Sequence, residues 1–205
     1  MNIFELRDHH TITKTGFKPS GRFIAAGYQA QVYQHPRDPN KIIKLVDIKN
    51  LDGDAYFEFI KFIMDHQDNI HFPRIFNAKL YEKQSDAPNY KHSPFHLIVI
   101  MEKLHEVSNP KLHDAVFSAF RNAGFPAEVI EDSFQNHTKL HSYIDSYVDD
   151  TTVAKNSHLD EFISAMKLLQ PFIDEHGQDM SMNNFMLRLT STGPQLVIID
   201  PLAPS

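Results

Sequence analysis

The densest chemistry in this sequence lies near its C-terminus, in three oxygen-bearing side chains: Asp179, Asn184 and Asp200. Two five-residue apolar stretches, 185–189 and 195–199, flank a turn at Thr190 to Pro194 and read as the arms of a β-hairpin. Pairing about Thr192 sets Asn184 and Asp200, each eight positions away, opposite one another at the open end, within about 5 Å across the ladder. One amide oxygen and one carboxylate facing a small volume, with room for water and phosphate oxygens, suit Mg²⁺. Asp179, five residues before Asn184 on the loop entering the hairpin, can reach the same mouth and orient a hydroxyl for attack. Any one of these residues alone is an ordinary turn former. A D-x4-N arrangement followed by a strand-flanked Asp is harder to assign to turns. Thirteen histidines offer a competing story, since His137 and His141 stand at metal-binding spacing on one helix face. No third ligand accompanies them, so a surface or pH-sensitive role takes precedence.

The rest of the chain must hold those residues in place. At 205 residues and 41% apolar, with sixteen Phe, seven Tyr and no Trp, it can form one domain or two lobes of about a hundred residues each. Twenty basic against twenty-six acidic residues leave a formal charge of -6. No large cationic field exists to hold a phosphate backbone, which argues against a nucleic-acid partner. Zero Cys excludes disulfides, thiolate catalysis and Cys-based zinc sites. No stretch approaches the roughly 18 apolar residues of a membrane span, and the N-terminus lacks a basic segment followed by an apolar run. The expectation is a soluble, cytoplasmic protein with no membrane partner.

The elements fall into two groups. Residues 1–21 are polar and mixed, an arm closed by Pro19, Ser20 and Gly21. From Arg22 the pattern is strand, Gly27 turn, strand ending at Tyr33, a Pro-rich turn over His35 to Asn40, and an apolar strand Ile42 to Val46. A helix over 54–66 carries Tyr56, Phe59, Ile60, Phe62 and Ile63 on a broad face, with Asp52 to Asp54 suited to its start. Strands follow at 75–80 and 96–101; the unbroken apolar run of the second predicts burial on both faces. Beyond residue 104 the pattern is mainly helical: 112–123, 128–147, and a helix from Ser157 that Pro171 should kink or end early. The expected organisation is an arm (1–21), a strand-rich lobe (22–104) and a helix-rich lobe (105–205).

Asp179, Asn184 and Asp200 resemble the protein kinase superfamily, whose catalytic loop reads H-R-D-x-x-x-x-N and whose metal-binding Asp ends the next hairpin. The other lobe carries the remaining landmarks in order. Gly27 stands where the Gly-rich loop should be, Val32 where an apolar residue covers adenine, and Ile42, Ile43 and Lys44 resemble V-A-I-K. Glu58, in the first helix, matches the lysine's ion-pair partner. Met101 resembles a gatekeeper, with the backbone of Glu102 and Leu104 positioned to bond adenine. The resemblance implies an α+β, bilobal protein-kinase-like fold: an N-lobe antiparallel sheet plus one helix, and a reduced helical C-lobe with a catalytic hairpin. It implies ATP and Mg²⁺ as cofactors, Asp179, Lys44 and Glu58 as catalytic residues, and Asn184 and Asp200 on the metal. Transfer of a γ-phosphoryl group to Ser or Thr of a protein substrate, a host protein among the candidates, is the implied activity. The spacing from Gly27 to Lys44, the Asp-Met start of the catalytic loop and Ile199, Asp200, Pro201 look most like the early serine/threonine kinases of T-seven-type phages. Compact kinases of bacterial effector proteins are similarly stripped.

The departures are specific. Only Gly27 survives of the Gly-rich turn, Gly177 stands where the family has His, and Ser181 replaces the usual Lys after the catalytic Asp. Pro201 and Leu202 replace the Phe and Gly of D-F-G, and no activation segment or A-P-E follows. Two alternatives therefore stand beside the active kinase: a kinase-shaped protein with weak or lost turnover that acts by binding a partner, and a small-molecule phosphotransferase.

Overall fold

In the computed structural model the described residues are 13–14, 21–27, 30–49, 54–82, 95–135, 157–177 and 182–200. The chain divides into two units, one of residues 1–67 and 74–103, the other of 68–73 and 104–205. Both mix strands and helices, so the fold class is α+β.

The first unit is built on a six-stranded sheet. Its strands are β1 (Thr13–Lys14), β2 (Phe23–Ala26), β3 (Ala30–Gln34), β4 (Lys41–Ile48), β5 (Ile75–Glu82) and β6 (Phe95–Glu102), in the order β1-β5-β6-β4-β3-β2. Five strands pair antiparallel; β1 joins β5 in parallel. That short edge strand falls inside the stretch expected to be a loose arm, where two polar residues give no periodicity to read. The apolar run of β6 takes a central place, with Leu97, Ile98, Val99 and Met101 buried. In the β3–β4 turn Asp38 accepts the Asn40 N–H at 2.9 Å and pairs with Lys41 at 3.1 Å. The Asn40 bond first, then Lys41, hold its carboxyl below the usual value.

The helix α1 (Ala55–Asp65) starts at Asp54, whose side chain accepts the Phe57 N–H at 3.0 Å. Its buried residues are Ala55, Tyr56, Phe57, Phe59, Ile60, Ile63 and Met64. At 100° per residue they form one arc with Tyr56 near its middle, and Glu58 and Lys61 stand on the far side. Phe62, expected on the apolar face, lies outside it and stacks on His66 with centroids 4.1 Å apart.

The second unit holds β7 (His105–Glu106), a 3₁₀ turn (Pro110–Leu112), α2 (His113–Asn122), α3 (Ala127–Gln135) and α4 (Ser157–His176). A 3₁₀ turn (Met182–Asn184) and the strands β8 (Phe185–Thr190) and β9 (Gly193–Ile198) complete it. The region expected to be helical beyond the hairpin thus also contributes β7, which extends the hairpin into a three-stranded sheet. The expected 128–147 helix is described only to Gln135; its remainder, with His137 and His141, lies outside the described residues. Pro171 does not end α4, which runs five residues further. Pro171 is exposed while Leu169 and Ile173 on the opposite side are buried, so packing outweighs the one backbone bond that Pro removes. Gly177 closes the helix at φ 82°, donating its N–H to the Ile173 carbonyl at 2.8 Å. That left-handed cap is the physical reason for Gly at this position.

Four aromatic rings bind these helices to the base of the hairpin. Phe125 packs on Phe162 at 5.1 Å and on Phe120 at 5.4 Å, and Phe120 meets Phe185 at 5.7 Å. Phe185 directly follows Asn184, so the cluster anchors the strand end where the first expected metal ligand sits.

Candidate functional site

Adjacent antiparallel strands put directly opposed residues on the same face, so the register decides which side chains can cooperate. Lys44 of β4 lies opposite Val32 of β3 and Val99 of β6, and Ile42 lies opposite Met101. Val32, Lys44 and Met101, named from separate stretches of sequence, therefore share one face of the sheet. This is the face α1 covers: the Lys44 ammonium sits 4.1 Å from the centroid of the Tyr56 ring.

The expected partner of Lys44 is elsewhere. Glu58 is bound at 3.2 Å by Lys61, one turn along the same helix, and does not pair with Lys44. The cause is the helical period: two residues separate Glu58 from Tyr56, which is about 160° of rotation. The sequence contained the signal, since only Tyr56 falls within the apolar arc.

Gly27 closes the β2–β3 hairpin by donating its N–H to the Ala30 carbonyl at 2.8 Å. Its φ is not positive, and a Cβ placed there would meet nothing within 4 Å. The fold does not itself demand Gly at this position, whereas Gly21 is sterically required: a Cβ there would stand 1.8 Å from the Gln34 carbonyl oxygen. The turn residues 28–29 lie outside the described residues.

At the end of β6 the Glu102 N–H donates to the Arg74 carbonyl at 3.0 Å, and its carboxylate accepts the Arg74 N–H at 2.8 Å. Glu102 is a clamp between β5 and β6, so its N–H does not remain for a ligand. Lys103 donates its N–H to Asn40 at 2.8 Å. The Leu104 side chain is buried.

In the second unit the turn of the hairpin is Ser191 and Thr192, with Thr190 opposite Gly193. Gly193 adopts φ 126°, and Thr190 Oγ1 donates to its carbonyl at 2.7 Å while accepting the Thr192 N–H. A two-residue loop moves the register by one from the pairing centred on Thr192. Asn184 faces Ile199, whose N–H reaches its carbonyl at 2.9 Å, and Asp200 lies one residue beyond. The direct opposition of Asn184 and Asp200 is thus corrected. Asn184 closes a 3₁₀ turn and Asp200 follows the strand, so strand alternation does not set the direction of either side chain. Both are half-buried hard oxygen donors at neighbouring strand ends. Two such donors, completed by water and phosphate oxygens, fit Mg²⁺. Among the described residues no group of three or more His, Asp or Glu could hold a metal ion by itself. Asp179 lies outside the described residues.

Sequence reading missed the pair that holds the hairpin to the segment 68–73. Buried Arg188 donates to the carbonyls of Ile70 at 2.6 Å and Phe72 at 2.8 Å, and to Gln195 Oε1 at 3.2 Å. His71 Nδ1 is 2.8 Å from the Leu196 carbonyl, which can only accept, so Nδ1 carries the proton. A polar residue in a five-residue apolar run was the available signal at Arg188. No helix among the described residues is long and apolar enough to cross a membrane. No protein-family model matches the sequence, and no curated protein matches it.

Proposed function

We propose that this protein is a minimal, ATP-dependent serine/threonine protein kinase that works in a cytoplasm on a protein substrate. The observation that carries this reading is the shared sheet face of Val32, Lys44 and Met101, the three residues for which the kinase resemblance implies nucleotide binding. The half-buried oxygen donors Asn184 and Asp200 at neighbouring strand ends support it. In this reading Val32 and Met101 bound the adenine, the carbonyl of Glu102 and the backbone of Leu104 offer polar contacts, and Gly27 leaves space for phosphates. Lys44 holds phosphate oxygens by charge. Asn184 and Asp200 hold Mg²⁺, which neutralises charge on the phosphates. Asp179 accepts a hydrogen bond from the acceptor hydroxyl and aligns it. The hydroxyl oxygen bonds to the γ-phosphorus as the bond to the β–γ bridging oxygen breaks, ADP leaves, and the hydroxyl proton passes to Asp179 or water.

The pairing of Glu58 with Lys61 favours a second reading, a kinase-shaped protein that binds a partner without turnover. Incubation with labelled ATP, Mg²⁺ and a cell extract separates the two. Transfer of label to protein Ser or Thr, lost in Lys44→Met and Asp200→Ala, is the expected result. Nucleotide binding without transfer favours the partner-binding protein, and label on free metabolites at comparable rates favours a small-molecule phosphotransferase.

A further inference from the structure

We propose that Gln34, the last residue of β3, is a positioning residue for the nucleotide-contacting residues at the end of β6, closing the β3–β4 turn and fastening Lys103 to it. The functional half of this inference rests on the nucleotide site of the kinase reading. Its structural half rests on the first unit alone.

Gln34 lies opposite Ile42, and Ile42 opposite Met101, so Gln34 belongs to the sheet face of Val32, Lys44 and Met101. Its backbone is fixed first. The Gln34 N–H donates to the Arg22 carbonyl at 2.8 Å, and Gly21 lies against the Gln34 carbonyl with no room for a Cβ. The side-chain amide then makes three contacts. Nε2 donates to the Lys41 carbonyl at 2.9 Å and to the Asp38 carbonyl at 3.2 Å, and Oε1 accepts from Lys103 Nζ at 3.3 Å. A carbonyl can only accept and an ammonium can only donate, so these partners admit a single orientation of the amide.

The two carbonyls belong to the turn. The Lys41 N–H donates to the Asp38 carbonyl at 3.2 Å and the His35 N–H to the Lys41 carbonyl at 3.1 Å, and Gln34 uses the second lone pair of each oxygen. Asn40 stands between them. Its N–H donates to the Asp38 carboxylate at 2.9 Å, and its carbonyl accepts the Lys103 N–H at 2.8 Å. On the other flank Glu102 is clamped to Arg74 through its N–H and its carboxylate. Residues 102 and 103 are therefore held from both sides, by the start of β5 and by the turn, and Gln34 touches both the turn and Lys103. A strand end fixed in this way needs no ordering when a base arrives, which strengthens binding without adding a contact. The role should show in nucleotide affinity rather than in the chemical step.

The test reads amide exchange at Lys103 and ATP affinity in the whole chain, with thermal unfolding confirming that each variant folds. In Gln34→Met the Lys103 amide should exchange about tenfold faster, and the Kd for ATP with Mg²⁺ should rise about tenfold. Any phosphoryl transfer should show the change in KM for ATP, with kcat within about twofold. Gln34→Glu keeps the side-chain length and the link to Lys103 but removes both donors, so it should match Gln34→Met, and it carries the test if Gln34→Met does not fold. Unchanged Lys103 exchange in Gln34→Glu, faster exchange with unchanged ATP affinity, or a loss confined to kcat overturns the proposal. A wild-type protein that binds ATP and transfers no phosphate removes the kinase reading but leaves this one to be decided by Kd. A wild-type protein that binds no ATP overturns the positioning role together with the nucleotide site.

Discussion

The guanidinium of Arg188 donates to the carbonyl oxygen of Phe72 at 2.8 Å, joining β8 to a segment 116 residues earlier in the chain. The same side chain serves Ile70, and the Ile198 N–H returns a bond to the His71 carbonyl at 2.8 Å. The hairpin that carries Asn184 and Asp200 is thereby bound to the connection between α1 and β5. Replacing Arg188 by Met leaves buried carbonyls unsatisfied and should destabilise the protein by about 3 kcal/mol. Urea unfolding measures this, and Ile198 amide exchange should accelerate. Arg188→Lys should recover little, because a point ammonium cannot span three acceptors. An unchanged urea midpoint in Arg188→Met would sink the assignment.

Gly21 and Gly27 should respond in opposite ways to the same methyl group. Gly21→Ala drives a Cβ into the Gln34 carbonyl and should lower thermal stability whatever ligand is present. Gly27→Ala meets open space and should fold normally, with nucleotide affinity lowered if phosphates pass over this turn. Calorimetric unfolding together with ATP titration distinguishes them. A stable Gly21→Ala protein would contradict the packing described here.

Phe162 touches Phe125 at 5.1 Å and His71 at 5.2 Å, edge to face in both cases. Phe162→Ala should cost about 3–5 kcal/mol, since it opens a cavity at the base of the hairpin. Chemical denaturation gives the number, and a loss below about 1 kcal/mol would show that the cluster is not the support inferred for Phe185.

If Asn184 and Asp200 share a Mg²⁺, the Asp200→Ala variant should transfer phosphate on the order of a thousandfold more slowly. Asn184→Ala should raise the Mg²⁺ concentration needed for half-maximal rate. Rates measured across a Mg²⁺ series test both. Wild-type turnover in Asp200→Ala would remove the metal assignment altogether.

Asp179→Asn keeps the shape of the side chain and removes its charge, so nucleotide binding should persist while phosphate on protein Ser or Thr disappears. The acidic chain also favours a basic surface on its substrate, so transfer should weaken with added salt. Phosphoamino-acid analysis at two salt concentrations tests both parts, and label confined to the enzyme itself would count against a protein acceptor.

Much of the fold was legible because local periodicity reports which face of an element is buried. The apolar run of β6 announced a central strand, Asp54 marked the start of α1, and the two arms of the C-terminal hairpin stood out around Gly193 and Pro194. Residue types also nominated Val32, Lys44 and Met101, which the register then brought to one face.

Tertiary structure decided the pairings. A loop of two residues instead of the five from Thr190 to Pro194 shifted Asn184 from Asp200 to Ile199, a difference of one position that no periodicity in the strands encodes. The two-residue strand β1 is too short to carry a pattern, and the helix α4 passes Pro171 because burial of Leu169 and Ile173 outweighs one missing bond. Glu58 was the acid at the expected place in the sequence, but the orientation of α1 on the sheet turned Tyr56 inward and left Glu58 to Lys61. Sequence records the identity and spacing of groups along the chain; which of them meet depends on turn geometry and on how each helix rolls to bury its largest apolar arc.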